Sequence, residues 1–412
     1  AVCLASPLRD VYKRQLQNVN YAVFGCGNSE WASTFQRVPT LIDERLSELG
    51  ANRLIERGQA DVRSDYVGAF EQWAEKLWQS VSEFLGTDHD AALLTEAVTV
   101  ELADAGRTEF LRAGDGPESK GFVTGIVSRS RALSPAEDNG PIRVKHHLDI
   151  RLPEDVHYTT GDYLEVLPRN PQDVIDRVVL RFGLDVDTRV VLGGNTSFLP
   201  VDEPIAVGEL LGGYVELGEP ASRKDVEEMA KNCLCPPERA QLEAFLAPDT
   251  YQTEVQDKRR SPLCLLEEFP SVQIEFADFL NMLVPLRPRR YSISSSALSD
   301  ERLASITFSQ ICEDSWSGRG QYVGTASSYL TSLAVGSPVS VRVVPGKEHF
   351  RPEKDLQRPM ILVGAGTGIA PLRAFVEDTA IRVQTSGARP ARSLLFYGCH
   401  GPDSDLSLIH IS

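Results

Sequence analysis

The residues best suited to chemistry lie in Arg287–Ser296, RPRRYSISSS. The stretch alternates, so in an extended chain Tyr291 and Ile293 share one face and Ser292 and Ser294 the other. Arg289 offers a planar fork that can grip a pyrophosphate. Tyr291 offers a flat ring that can lie on a flat cofactor, and Ser292 a hydroxyl able to hydrogen-bond the edge of such a ring. The same residues also suit a half-buried strand with a basic start and a polar tail. Two later stretches favour the chemical reading. Gly324-Thr325-Ala326-Ser327 reads as a glycine turn opening a helix, where N–H groups and a hydroxyl can hold an anion; alone, it would equally suit an ordinary helix entry. Met360–Pro371, MILVGAGTGIAP, reads as a buried strand running into a glycine loop. Its spacing is GxGxG followed by Pro371, not the GxGxxG fingerprint. Glycines let a backbone approach a dinucleotide, and a proline costs little in the first helical turn. A tight turn between strand and helix in any α/β domain is the plain alternative.

The elements that must position these residues follow from periodicity. Asn20–Phe24 reads as a strand, Gly25–Trp31 as a glycine-rich loop, and Phe35–Leu49 as a helix with Val38, Leu41, Ile42, Leu46 and Leu49 at helical spacing before Gly50. A short strand at Arg53–Ile55 and a helix at Tyr66–Phe84 complete half of a doubly wound α/β domain, whose ligands sit at the carboxyl ends of strands. Residues Gly86–Lys120 lack strong periodicity and read as a linker. Gly121–Val127, Ile142–Leu152 and Ser305–Gln310 read as strands. Asp173–Phe182, Val207–Leu211, Ser222–Lys231 and Pro237–Leu246 read as short helices, and Ser393–Cys399 as a second parallel strand in the last domain.

RPRRYSISSS, the GTAS turn and the GAGTGIAP loop, in that order, resemble the flavin-and-nicotinamide half of the diflavin reductases, relatives of ferredoxin–NADP reductase. GCGNSEWASTFQRVPTLIDERL resembles their FMN domain, most closely that of the NADPH–cytochrome P-450 reductase half of bacterial self-sufficient bifunctional monooxygenases. The resemblance spans about Asn18–Leu406. It implies a multidomain protein. An α/β flavodoxin-like half domain would occupy 16–86, a linker 87–118, an antiparallel β-barrel FAD domain 119–350 with a helical insert at about 171–270, and a truncated α/β NADP-binding domain 355–406. It implies FMN contacts from Gly27, Asn28, Trp31 and Asp61, with Trp31 stacked on the ring; a core aromatic is the alternative for Trp31. It implies FAD contacts from Arg289, Tyr291, Ser292, Thr307, Ser309 and Gly324–Ser327, with Ser292 the catalytic hydroxyl near the flavin N5. It implies NADPH contacts from Gly366, Thr367 and Cys399, though Cys399 equally suits a buried small residue. His146 stands where the family usually carries an arginine, and the family's upstream FMN phosphate loop and downstream 2′-phosphate residues have no counterpart in this chain.

Composition sets limits. The 412 residues are 42% hydrophobic and 24% charged, ordinary for globular protein with two to four domains. A net charge of −16 argues against nucleic acid and anionic membrane as partners. Seven cysteines with no CxxC pair suggest reduced thiols and a cytoplasmic setting, and seven histidines show no metal-ligand spacing. No run of 18 apolar residues is present. Residues 1–15 and 407–412 match no neighbouring pattern and read as foreign ends of a fragment. The expected function is passage of electrons from NADPH through FAD and FMN to a haem protein, with the haem in a part of the protein outside this chain. The alternatives are the flavoprotein subunit of sulfite reductase, and an inactive fragment that binds FAD at most.

Overall fold

The computed structural model describes residues 16–63, 66–86, 97–103, 121–133, 144–194, 198–315 and 321–398. The chain divides into two compact units, residues 1–97 with 220–282, and 98–219 with 283–412.

In the first unit, strands β1 (Asn20–Tyr21) and β2 (Phe24–Gly27) pair in parallel with β3 (Asn52–Arg53) and β4 (Gly58–Asp61) respectively. Helices Arg37–Glu48 and Tyr66–Leu85 accompany them. The single strand expected at Asn20–Phe24 is thus two, and the second continues into the glycines read as loop. Packing explains this. A Cβ on Gly25 would fall inside the Gln36 and Pro39 side chains, so only glycine lets this strand run so close to the helix start. Gln36, at a φ of 57°, is buried, and its amide donates to Gly25 O at 2.8 Å and Ala60 O at 3.2 Å, bridging β2 and β4. The same unit holds short helices at Arg223–Lys231, Pro236–Phe245, Pro262–Glu268 and Phe276–Asn281. The first starts on a capping box in which Ser222 and Asp225 bond each other's N–H.

The second unit is built on a six-stranded antiparallel sheet of β5 (Val123–Ala132), β6 (Lys145–Arg151), β7 (Tyr163–Val166), β8 (Arg289–Ser292), β9 (Leu303–Ser309) and β10 (Pro338–Val344), in the order β8-β7-β10-β5-β6-β9. Alternation decides its faces. Leu148, Ile150, Leu164, Ile293, Ile306, Phe308 and Val341 form one buried core, while His147, Asp149, Ser305 and Thr307 alternate with them. The edge strands approach where Ile293 bridges Ile306 and the Ser294 N–H donates to Ser305 O at 2.7 Å. The expected barrel is therefore a curled sheet whose edges touch at one bridge. Thr99–Leu102, inside the stretch expected to be a linker, is a strand paired with Arg189–Gly193, which also pairs with Pro204–Ala206. Residues 171–270, expected to be a helical insert, thus hold strands at Arg189–Gly193 and Pro204–Ala206 as well as helices. Last in the chain, β11 (Ile361–Ala365) and β12 (Leu394–Gly398) pair in parallel around the helix Ala370–Ser386.

Candidate flavin and nucleotide site

Strand β8 carries the candidate flavin residues in register against β7, with Arg289 opposite Val166, Tyr291 opposite Leu164 and Ser292 opposite Tyr163. Arg289 donates from Nη2 to Glu216 Oε2 at 2.8 Å and from Nη1 to Arg287 O at 2.7 Å. Thr325, first residue of the helix Thr325–Ser332, donates its hydroxyl to Glu216 Oε1 at 2.9 Å. The two stretches read as pyrophosphate anchors therefore meet on one buried carboxylate. Gly324 is packed so that a Cβ would crowd Ser327 Oγ and Ile311. The buried Ser327 hydroxyl accepts from the Ile311 N–H and donates to Gly324 O, so it shapes the turn from within. Ala326 is buried beside it.

Tyr291 is half-buried and lies edge-on to Phe308, with ring centroids 5.9 Å apart, and burial pushes its hydroxyl up to about 12. At the strand's other end Ser292 is half-buried, and its hydroxyl has no hydrogen-bond partner among the described residues. Thr307 is buried opposite His147, with its Oγ1 3.2 Å from His147 Nδ1 and 3.5 Å from Ser294 Oγ. His147 Nε2 lies 2.9 Å from Asp149 Oδ1, which also accepts from Ser305 at 2.6 Å. Burial works against ionising Asp149, but the hydrogen bonds from His147 and Ser305 outweigh it and hold the carboxyl below its usual range. The Thr307 side chain is thus held within a polar chain on its own sheet face, while Ser309 ends β9, half-buried. His146 stacks near Phe308 at 5.6 Å, and burial lowers its pKa, which weakens it as an anion ligand.

The glycine loop after β11 is a 3₁₀ turn, Gly366–Ile369, leading into the helix Ala370–Ser386 with Pro371 in its first turn. Gly366 has a φ of 51°, and an added Cβ at Gly366 or Gly368 would meet open space, so the backbone here is free to be approached closely. Thr367 lies between them. Cys399 lies outside the described residues.

Sequence reasoning missed how this helix is tied to the end of β8. Arg373 donates to Ser294 O, the Ser296 N–H donates to Glu377 at 2.9 Å, and the hydroxyls of Thr160 and Ser296 donate to Asp378 Oδ2 at 2.9 and 3.1 Å. No local signal marks these partners, because each contact spans a long stretch of chain.

In the first unit, Asp61 ends β4 and its Oδ1 accepts from the N–H groups of Ser29 at 3.2 Å and Arg63 at 3.1 Å. A hydrogen bond from the Ser29 hydroxyl, together with those from the Arg63 and Ser29 N–H groups, holds its carboxyl below the usual range. Asn28 Oδ1 accepts from the Glu30 N–H at 2.9 Å, and a Cβ on Gly27 would strike the Phe35 ring. Trp31 is 72% exposed, so it is not a core aromatic, and its flat ring stands open on the loop. Gly27, Asn28, Trp31 and Asp61 therefore share one loop and the strand end beside it.

A single chain with an arginine-bearing strand that meets a helix start on one carboxylate, an open glycine loop and an aromatic loop at a strand end has the make-up of a flavoprotein. Residues 117–329 match the family model described as FAD binding domain, and residues 7–73 match that described as Flavodoxin. The chain belongs to the FAD binding domain family. It is 37% identical over 404 residues to bifunctional cytochrome P450/NADPH–P450 reductase 2 of Bacillus subtilis, covering 97% of this chain and 37% of that protein. It is 38% identical over 407 residues to a self-sufficient cytochrome P450 monooxygenase of Exserohilum turcicum, covering 97% and 36%. A bifunctional relative from Fusarium oxysporum is 35% identical over 403 residues, covering 97% and 36%. The chain spans little more than a third of the length of these relatives. Among the described residues, no helix is long and apolar enough to cross a membrane.

Proposed function

We propose that this chain is the reductase portion of a diflavin enzyme that takes electrons from NADPH, through FAD and FMN, to a haem protein, with a fused cytochrome P-450 as the acceptor. The described cysteines are free thiols, in keeping with a cytoplasmic setting. Bound flavins would supply hydride acceptance and its division into single electrons, which a haem acceptor requires. The chain's own residues supply binding and orientation. Arg289 and the helix start at Gly324–Ser327 would hold the FAD diphosphate, Tyr291 would cover the ring, and Ser292 would donate a hydrogen bond to the ring edge. Thr307 would support that edge from the neighbouring strand through Ser294, and Ser309 would border the ring at the end of β9. Gly366, Thr367 and Cys399 would face the nicotinamide nucleotide. Gly27, Asn28 and Asp61 would shape the FMN loop, with Trp31 stacked on its ring.

The observation that carries this reading is the make-up of β8. Its first residue meets the helix-start residue Thr325 on one carboxylate, and its last residue offers a hydroxyl with no hydrogen-bond partner among the described residues. Arg289 and Ser292 are about 10 Å apart along an extended strand, a span suited to the diphosphate and the ring of one dinucleotide. The test is direct. The purified chain, reconstituted with a mixture of FAD and FMN and then denatured, should release FAD in excess of FMN, and NADPH added without oxygen should bleach the retained flavin. A chain that retains no FAD refutes the reading.

A further inference from the structure

Glu216 closes the short strand Val215–Glu216, paired antiparallel to Val284–Pro285, and is 4% exposed. A carboxylate this deeply buried is tolerated only when its oxygens are bonded and its charge is matched. Both conditions are met by residues of the proposed diphosphate site. Oε2 accepts from Arg289 Nη2 at 2.8 Å and Oε1 from Thr325 Oγ1 at 2.9 Å. The guanidinium carries five N–H donors in a rigid fork. Holding one on Glu216 and another on Arg287 O fixes the plane of the fork and leaves donors for a ligand. The Thr325 hydroxyl proton is committed to Glu216, so at that residue the backbone N–H is the group left to meet an anion.

From this geometry we propose that Glu216 is a positioning residue for the diphosphate of the flavin dinucleotide. It acts as a strut that sets the distance and orientation between the Arg289 fork and the start of the helix Thr325–Ser332. The proposal rests on the FAD reading above. It also makes a prediction opposite in sign to simple electrostatics. Removing a negative charge next to a diphosphate site should tighten anion binding if charge alone mattered. Removing a strut should weaken it, because the fork loses its preorganisation.

The experiment is fluorescence titration of the flavin-free chain with FAD and, separately, with riboflavin, which has the ring and no phosphate. Glu216→Gln keeps an acceptor for Thr325 but loses the charge-assisted bond to Arg289. It should weaken FAD about tenfold and leave riboflavin unchanged. Thr325→Val cuts the strut from the other side, leaves the Arg289–Glu216 pair intact, and should give the same split; it serves if Glu216→Gln does not fold. Equal weakening of FAD and riboflavin would show a merely structural role and overturn the proposal. So would FAD binding as tight as, or tighter than, that of the parent chain. Arg289→Ala separates the two levels. If it weakens FAD while the Glu216 and Thr325 variants do not, the strut is wrong and the site stands. If none of the three changes FAD affinity, both are wrong.

Discussion

Replacing Asp378 by alanine tests how the nucleotide loop is anchored to the strand of Ser292. Asp378 is 1% exposed and accepts from Thr160 Oγ1 at 2.9 Å, Ser296 Oγ at 3.1 Å and Arg382 Nε at 2.6 Å. Alanine removes all three bonds, but not all at full cost. The two hydroxyls lie 3.4 Å apart and can turn to each other, and each already accepts a backbone N–H, from Ala297 and Leu298 respectively. The Arg382 side chain is 30% exposed and can reach water, so its share is discounted. At about 1 kcal/mol for each neutral bond and about 1 kcal/mol for the discounted charged one, the loss is about 2–4 kcal/mol. Urea unfolding followed by circular dichroism reads the total. Hydrogen exchange along Ala370–Ser386 localises it, because this helix is pinned to the 294–296 segment through Arg373, Glu377 and Asp378. Hydride transfer from NADPH should slow while FAD content stays normal, since the helix begins at the glycine loop and no flavin anchor is touched. A change below about 0.5 kcal/mol with unaltered helix exchange would refute the reasoning.

Three further outcomes are expected. Ser292→Ala should slow flavin bleaching by NADPH on the order of 10–1000-fold, as loss of one transition-state hydrogen bond does, with FAD content unchanged; unaltered bleaching would make Ser292 a plain strand serine. Trp31→Ala should weaken FMN in a direct titration yet leave the melting temperature nearly as it was, because the ring is 72% exposed and has little packing to lose. Glu165 is bonded by Arg290 and Arg342 at 2.6 Å each; burial opposes its ionisation, but those two bonds hold its carboxyl below the usual range. Its contribution to stability is therefore full above the ordinary glutamate pKa and lost as pH falls through the depressed one. Glu165→Gln should cost about 1–2 kcal/mol at neutral pH, discounted because both arginines are more than a third exposed, and should flatten the acid limb of a stability-versus-pH curve. An unchanged acid limb would count against that linkage.

What was legible in the sequence is what is local in the chain. Arg289, Tyr291 and Ser292 follow one another on a strand whose alternation is visible, and the glycines of the GTAS turn and the GAGTG loop announce close backbone approach by their type alone. What was illegible depends on partners far along the chain. Glu216 sits 73 residues before Arg289 and 109 before Thr325. In sequence it is one acidic residue in a stretch read as part of a helical insert. Asp378 reads as a solvated charge in a helix, and becomes a buried acceptor only because Thr160, 218 residues away, is brought to it. The strand Thr99–Leu102 was missed for a related reason. Four residues carry too little periodicity to stand out, and its pairing with Arg189–Gly193 is settled by the sheet it joins. Trp31 is the converse case. The glycines around it fix a loop, but whether its ring turns inward or outward depends on packing the sequence does not display, and the ring turns out. The residues proposed to touch the ligands are thus the readable ones. Those that hold them in place, Glu216 above all, emerge only once the chain is folded, which is why the strut variants test the site more sharply than substitution of another motif residue would.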